Sequence, residues 1–257
     1  MGLGKLLLDL IYPEPERCMN CNSILHLPEI KGLCYNCLSE INYTDSINNQ
    51  FCKICGRIMK PRTEVIHHKM TCNICIDQQP EYTMCRSIGS YEGLLRDIIL
   101  TFKYMGEEKL SEPLGNLMAT YYNHYFKEKG IDYLLPIPLH YKRKKVRGYN
   151  QARLLAEVLG KRVGLPVMTD FLIREDDTPP LYDLGQSQRK GVMKGVFSLN
   201  ERVKENNTIL NKYRASNVLL IDDIFTTGTT VNEVIRELKN TIEFSEIYVY
   251  TLATAII

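Results

Sequence analysis

The sequence lacks any hydrophobic run that approaches the 18 or so consecutive apolar residues needed to cross a bilayer. Its N-terminal apolar stretch, residues 6–11, is short and is interrupted by Asp9. No small-residue cleavage site of the kind that ends a secretory signal follows it. These absences argue against membrane insertion and predict a cytoplasmic protein. We interpret residues 6–11 as a short amphipathic helix.

Charge of one sign is not in excess either. Lys and Arg number 32 against 30 Asp and Glu, so the net charge gives no indication of a nucleic-acid partner. Only the distribution of the charges along the chain can indicate such a partner. The 44% of hydrophobic and 24% of charged residues are typical of a globular protein. A length of 257 residues allows one large domain or two smaller ones.

Cysteine is absent from residue 86 onward, because all nine cysteines lie between Cys18 and Cys85. Eight of them form four C-x-x-C pairs, and this spacing places two thiolates on one side of a tight turn, as zinc binding requires. Disulfides and redox dithiols are disfavoured, since cytosolic thiols stay reduced and a redox C-x-x-C normally stands alone. Two zinc ions are therefore predicted, with these ligands: Cys18, Cys21, Cys34, Cys37, Cys52, Cys55, Cys72 and Cys75.

The pairing of the C-x-x-C units is left open by the sequence. They can combine sequentially, or in a cross-braced way that joins the first with the third and the second with the fourth. Both arrangements fill every zinc position with thiolate, which is typical of structural sites. His67 and His68 lie near Cys72 as alternative ligands, although exposed loop histidines are the simpler interpretation. Cys85 is expected to be a buried apolar residue.

Two domains are predicted along the chain. Residues 1–85 are irregular and too few to bury much core, so zinc has to supply their folding energy. Residues 86–257 alternate between helical and strand-like patterns, which predicts a parallel α/β sheet. The polar, Asn-rich residues 201–216 are interpreted as a loop. Helical faces are expected at residues 94–102, 110–121 and 152–159, and strands at residues 133–138, 171–174, 195–199 and 247–252.

Residues 218–232, VLLIDDIFTTGTTVN, carry the most specific chemistry. Residues 218–221 predict a buried strand, and a helical face begins at Val231. Asp222 and Asp223 follow that strand and offer acceptors for paired sugar hydroxyls or a metal-bound ligand. Backbone N–H groups ahead of a helix favour an anion, and Gly228 lets the backbone approach it closely.

Threonine hydroxyls complete this loop. They can donate to phosphate oxygens, and Thr229 or Thr230 can instead cap the helix. Thr-Gly-Thr before a helix is often only a turn with a cap. Combined with an apolar strand and two adjacent carboxylates, however, it outlines a site for ribose 5-phosphate.

This segment resembles the 5-phosphoribosyl 1-pyrophosphate (PRPP) motif of type I phosphoribosyltransferases. The resemblance implies that Asp222 and Asp223 hold the ribose 2′- and 3′-hydroxyls as the catalytic acids, and that Mg²⁺ accompanies PRPP. The reaction it implies is displacement of pyrophosphate at the anomeric carbon. The phosphate ligands it implies are Thr226, Thr227, Gly228, Thr229 and Thr230.

A basic segment precedes the helix predicted at residues 152–159. Its position after a strand predicts a loop at the ligand-binding edge of the sheet. Such a loop either clamps pyrophosphate or holds single-stranded nucleic acid, with Tyr141 and Tyr149 stacking on bases. A solvated charged loop is the third interpretation. The cations concerned are Lys142, Arg143, Lys144, Lys145 and Arg147.

The order of motifs resembles the ComF family over nearly the whole chain. The pieces concerned are the four C-x-x-C pairs, Tyr91-Glu92-Gly93, Phe102-Lys103-Tyr104, PIPLH at 136–140, RGYNQA at 147–152 and the PRPP motif. The resemblance implies a zinc domain linked to a phosphoribosyltransferase domain and a role in natural competence. The partners it implies are single-stranded DNA and the DNA-uptake helicase.

Two segments depart from the family pattern. Residues 189–192 read RKGV where an R-x-x-N element is expected, and residues 176–188 are also altered. Both fall where an acceptor base would sit. The resemblance therefore implies PRPP binding more directly than turnover, and an active phosphoribosyltransferase with an unidentified acceptor is the alternative function.

Overall fold

A computed structural model describes residues 16–25, 32–47, 49–59, 70–177 and 195–257. Three features discussed above lie outside these ranges: residues 6–11, His67 with His68, and residues 178–194, which include the RKGV element. None of the helices in the described ranges combines the length and the apolar character that a bilayer crossing demands.

Where the structure describes the N-terminal part, its elements are short: α1 (Tyr35–Ser39), β1 (Gln50–Phe51), β2 (Ile58–Met59) and α2 (Asn73–Gln78). β1 and β2 form a small antiparallel pair. Both helices begin directly after a C-x-x-C cysteine, with Cys34 as the N-cap of α1 and Cys72 as the N-cap of α2. Elements this short bury little apolar surface, as expected for a metal-stabilised region.

The C-terminal part alternates strands and helices. In chain order these are β3 (Met84–Ser90), α3 (Gly93–Tyr104), α4 (Ser111–Phe126), β4 (Tyr133–Pro136), α5 (Tyr141–Arg147), α6 (Gln151–Val163), β5 (Leu172–Arg174), β6 (Phe197–Leu199), α7 (Glu201–Lys204), α8 (Asn207–Tyr213), β7 (Asn217–Phe225), α9 (Thr229–Thr241) and β8 (Glu246–Thr254). Short 3₁₀ turns at Glu108–Leu110 and Lys127–Lys129 flank α4.

A parallel sheet in the order β3-β8-β7-β4 forms the centre, which confirms the predicted α/β fold. Side chains of β7 alternate between its two faces. Val218 and Leu220 join the core beneath α9, whereas Leu219 and Ile221 join the core formed with α3, α4 and α6. Because helices cover both faces, the strand is apolar at every position from Val218 to Ile221.

The two halves of the cysteine-rich region contribute to different cores. Cys18 and Cys37 pack in the core that contains α3, α4 and α6. The cysteines from Cys52 to Cys75 pack in the core beneath α9. The two halves therefore lie on either side of strand β3. The predicted boundary between residues 85 and 86 falls at this strand and stays a prediction.

The cysteine-rich region also covers the outer side of edge strand β3. Thr44 N donates to Ile88 O at 2.9 Å, and Ser90 N donates to Asn42 O at 2.9 Å. Farther along, Cys85 N donates to Ile54 O at 2.7 Å. These bonds satisfy backbone groups of β3 that the sheet itself leaves unpaired.

Two expectations about the middle of the chain are corrected. Residues 201–216 are not a loop, since they contain α7 and α8. Asn200 accepts a hydrogen bond from Arg202 N, and Asn206 accepts one from Ile209 N, each at 3.1 Å. The asparagines that indicated a loop are therefore helix N-caps. The strands expected at residues 171–174 and 195–199 are present as β5 and β6, but they pair antiparallel with each other outside the central sheet.

Candidate functional site

The candidate ligand site lies where β7 ends and α9 begins, at the carboxyl edge of the parallel sheet. The sequence pattern placed Asp222 and Asp223 after the strand. In the structure β7 runs to Phe225, so both acids lie within the strand. The strand is longer than predicted because β8 continues beside it as far as the pair Phe225 and Thr254. The sheet therefore fixes the backbone of both acids.

The turn after β7 has the features of an anion site. Gly228 is the N-cap of α9, with a left-handed φ of 81°, so the predicted Thr229 or Thr230 cap is wrong. No side chain in the described ranges caps this helix, and its first N–H groups lack intrahelical partners. The hydroxyls of Thr227 and Thr229 lie 2.9 Å apart. Amides and hydroxyls thus converge at a positive helix end, which favours a phosphate group.

Asp222 and Asp223 have different surroundings. Asp223 is buried and forms an ion pair with Lys103, whose Nζ lies 2.9 Å from Oδ1. Asp222 is half-buried, and its Oδ1 accepts a hydrogen bond from Asp223 N at 2.9 Å. Burial raises the pKa of Asp222 to about 7, helped by the charge of Asp223 and opposed by Lys103 and then Arg174. Asp222 therefore titrates near neutral pH.

Cations from α5 and β5 lie near this acid pair. Burial, and then the neighbouring charge of Arg143, lower the pKa of Arg174 to about 10, whereas Asp222 and Asp177 act in the opposite direction. The charges of Arg143 and Asp222 therefore both act on Arg174. The edge of the sheet therefore carries both acids and cations, as a ligand with a phosphate and a diol would need.

The basic segment is helix α5 and not the predicted loop. Lys and Arg are good helix formers, and the helix ends only at Gly148, where φ is 88°. Tyr149, which was expected to stack on bases, is buried, and its hydroxyl donates to Phe102 O at 2.6 Å. Tyr141 is 67% exposed and remains available for stacking.

The cations of α5 fall into two sets. Arg143 and Arg147, four residues apart, are half-buried on the inner side of the helix. Arg143 Nε lies 3.3 Å from Asp177 Oδ1, and the Arg147 guanidinium lies 4.8 Å from the centre of the Tyr104 ring. The exposed cations on the outer side are Lys142, Lys144 and Lys145.

The eight predicted zinc ligands form two clusters with sequential pairing. Cys18, Cys21, Cys34 and Cys37 form one, and Cys52, Cys55, Cys72 and Cys75 form the other, with the sulfur atoms of each within 4.8 Å of one another. This arrangement excludes the cross-braced alternative. The second cluster is buried at all four residues, whereas Cys21 of the first is exposed. Cys85 is buried and belongs to neither cluster.

The spacing of the sulfur atoms fits zinc. Tetrahedral Zn²⁺ with Zn–S bonds of about 2.3 Å places its ligands about 3.8 Å apart. Sγ atoms lie 3.7 Å apart in Cys18–Cys37, 3.5 Å in Cys21–Cys34 and 3.7 Å in Cys55–Cys72. Backbone amides also donate to the sulfurs, as Cys72 N does to Cys52 Sγ at 3.3 Å, which stabilises thiolates. The two clusters are suited to structural zinc, with four thiolates and no open position.

Three cations at the site have little or no sequence signal. Lys103 lies in the Phe102-Lys103-Tyr104 piece, and the resemblance of that piece to the ComF family was its only signal. Arg174 belongs to the short strand β5. Arg57 follows the third C-x-x-C pair, is 2% exposed, and places its guanidinium 5.0 Å from the centre of the Phe225 ring. Only the folded chain brings these three to the β7–α9 junction.

Comparison with known proteins supports both parts of the chain. The double zinc ribbon domain family matches residues 7–76, and the phosphoribosyl transferase domain family matches residues 153–255. A crystal structure of adenine phosphoribosyltransferase aligns with 60% of this chain and 82% of its own, at 14% identity and a TM-score of 0.35.

Similar proteins span most of the chain. Competence protein F of Haemophilus influenzae is 28% identical over 242 residues, which cover 93% of this chain and 97% of that protein. Competence protein ComFC of Bacillus subtilis is 26% identical over 240 residues, covering 91% and 89%. DNA utilization protein YhgH of Shigella flexneri is 25% identical over 223 residues, covering 86% and 89%. The predicted double zinc ribbon domain followed by a phosphoribosyltransferase domain is therefore confirmed, and over most of its length the chain is similar to proteins named for competence and for DNA utilization.

Proposed function

We propose that this protein binds PRPP, through its ribose 5-phosphate part, at the β7–α9 junction and acts in the cytoplasm during DNA uptake. The observation that carries the proposal is the uncapped N-terminus of α9 behind the Gly228 turn, with two carboxylates on the preceding strand. An N-terminal helix end binds a phosphate group, and paired acids accept hydrogen bonds from a diol.

Each set of residues has a role in this proposal. The loop of Thr226, Thr227, Gly228, Thr229 and Thr230 anchors the 5′-phosphate, which is remote from the reacting carbon and positions it. Asp222 and Asp223 orient the ribose as the proposed catalytic acids. Arg143 and Arg147, on the inner side of α5, balance the charge of the pyrophosphate. Mg²⁺ bound with PRPP would stabilise the charge of the leaving group, and carboxylate oxygens suit such a hard cation.

Calorimetric titration with PRPP and Mg²⁺ tests the site. We expect micromolar binding that is lost when Asp222→Ala is combined with Asp223→Ala. Asp97→Ala removes a carboxylate of α3 that is 67% exposed and pairs with Arg96, and this variant should bind as the wild type does. Absence of binding to the wild-type protein would refute the proposal.

A role in DNA uptake is supported by the similar proteins named for competence and for DNA utilization. The outer side of α5 offers the matching chemistry. Its three lysines project into solvent beside the exposed ring of Tyr141, and cations next to an aromatic ring suit the backbone and bases of single-stranded DNA. We therefore propose single-stranded DNA as a partner and, from the family resemblance, the DNA-uptake helicase as a second partner.

Salt dependence distinguishes this DNA surface from non-specific attraction. Replacing Lys142, Lys144 and Lys145 by Ala should reduce the slope of log K against log salt by about 2, at roughly 0.7 per phosphate contact. Lys127→Ala with Lys129→Ala, on the exposed turn after α4, is the matched control. An unchanged slope in the triple variant would rule out α5 as the DNA contact.

Phosphoribosyl transfer to an unidentified acceptor is the second candidate function. It is favoured by the inward side of α5, since the charges of Arg143 and Asp222 both act on Arg174. Pyrophosphate release from PRPP in the presence of nucleobases tests it. Release that depends on the nucleobase and is lost in Asp222→Ala would establish turnover, whereas PRPP binding without release would limit the protein to a binding role.

A further inference from the structure

A buried arginine of the second zinc ribbon lies against the phosphate loop. Arg57 is between the third C-x-x-C pair and β2, and only 2% of it is exposed. Within the described ranges its guanidinium has no carboxylate partner, and its Nε has no hydrogen-bond partner. Its guanidinium lies 5.0 Å from the centre of the Phe225 ring, and its charge also acts on Cys55 of the second cluster. A buried cation favours negative charge close by, which the thiolates of the cluster and an anion bound at the neighbouring turn can both supply.

The guanidinium lies at the turn that leads into α9. A methyl group built on Gly228 would lie 3.7 Å from Nη2 of Arg57 and 3.0 Å from Cζ of Phe225. Arg57, the Phe225 ring and the Gly228 turn therefore pack as one layer. The positive charge of Arg57 thus adds to the positive end of α9, at the place where the proposed phosphate would bind.

The metal cluster fixes the backbone of Arg57. Cys52 N donates to Arg57 O at 3.0 Å, so the knuckle of the second cluster sets the start of this side chain. Cys52 and Cys55 are both fully buried in the core beneath α9. A change in this knuckle therefore moves the guanidinium relative to the turn, because the surrounding core is close-packed.

We propose that Arg57 is a positioning residue of the phosphate site, contributed by the second zinc ribbon to the phosphoribosyltransferase domain. It holds the Phe225–Gly228 turn and supplies a fixed charge, so the affinity for a sugar phosphate depends on the ribbon. This inference rests on the proposed function. It also gives the zinc domain a part in ligand binding beyond its own folding.

Titration of the full-length zinc-bound protein with ribose 5-phosphate tests the proposal. Arg57→Met keeps an unbranched apolar stem, although a shorter one, and removes the charge, and it should weaken binding about tenfold or more, the usual effect of losing a charge-assisted contact. Arg86→Met is the matched control. Arg86, in strand β3, lies over the ring of Phe51 of the same ribbon at 5.4 Å and donates to Cys85 O at 2.7 Å, so affinity should change less than about twofold.

Zinc content and thermal denaturation verify that the variants are folded. If Arg57→Met does not fold, Arg57→Lys takes its place. Lysine keeps the charge but lacks the flat guanidinium, so binding should still weaken by about threefold or more. Wild-type affinity in the folded variant, Met or Lys, would overturn the proposal.

Amide hydrogen exchange separates this proposal from the proposed function. Exchange of the amides of residues 225–230 should accelerate in Arg57→Met even without ligand, because the turn loses its support. If the wild-type protein does not bind ribose 5-phosphate, the proposed function fails, and exchange alone decides on Arg57. Unchanged exchange in Arg57→Met would then contradict the contact between the arginine and the turn.

Discussion

Binding of PRPP with Mg²⁺ should release a proton from Asp222 at slightly acidic pH. Burial and the charge of Asp223 raise the pKa of Asp222 to about 7 in the free protein. Hydroxyls of a ribose or a bound cation favour the ionised carboxylate, so binding selects the deprotonated form. Proton release is therefore coupled to ligand binding at this residue.

The pKa of Asp222 sets the number of protons released on binding and the change in apparent affinity with pH. With a value of about 7, the Asp222 carboxyl carries a proton in about nine tenths of free molecules at pH 6 and in about one tenth at pH 8. Binding should release about 0.9 proton at pH 6 and about 0.1 at pH 8. The apparent affinity should rise about tenfold over this range, or about 1.4 kcal/mol.

Titration calorimetry in two buffers of different ionisation enthalpy measures the protons released. The phosphate of the ligand itself titrates near pH 6, so Asp222→Asn serves as the reference that keeps only the ligand's contribution. Asp223→Asn removes a charge that raises the pKa of Asp222, and its proton release should move to lower pH. Equal release by the wild type and by Asp222→Asn at pH 6 would refute this reasoning.

Three further predictions use matched variants. Gly228→Ala places a side chain at φ 81° against Phe225, so it should lower the free energy of unfolding by about 1–2 kcal/mol and abolish ribose 5-phosphate binding. The control Gly164→Ala, at φ 76° with open space around it, should lower stability but leave binding intact. Equal affinity of the two variants for ribose 5-phosphate would contradict the loop site. Cys72→Ser, in the fully buried cluster, should lower the zinc content and Tm more than Cys21→Ser, at the exposed residue of the first cluster. Metal analysis and thermal denaturation measure both quantities, and equal losses of zinc and of Tm in the two variants would contradict this prediction. The folded state raises the pKa of Asp222 from 3.8 to about 7, so stability falls as pH rises between these values. Asp222→Asn should therefore raise Tm at pH 8 but not at pH 4, and a gain that does not depend on pH would contradict it.

The β7–α9 unit was predictable because its signals are local. The apolar run that ends at Ile221 is typical of a strand buried on both faces, and Gly228 marks the turn that follows. The C-x-x-C pairs were equally readable, since their spacing directly reflects the tetrahedral geometry of zinc. Their sequential pairing required the fold.

The remaining features depend on contacts between distant segments. Strand β3 has polar residues such as Ser87, whose hydroxyl lies 2.7 Å from that of Thr251 in the buried sheet, so no apolar pattern marked it. The asparagines before α7 and α8 are equally common in loops and at helix starts. Lys103 meets Asp223 only after 119 intervening residues have folded into the sheet. Local patterns carry no information about such pairs.

The zinc ribbons cover the edge of β3, and this has a consequence for the behaviour of the protein when zinc is lost. Without metal, the amide of Ser90 and the carbonyl of Ile88 would lose their partners, and the sheet would end in an open strand. Such a strand is a template for intermolecular β-pairing. Zinc starvation should therefore drive this protein into aggregates and not leave a dormant, soluble apo form.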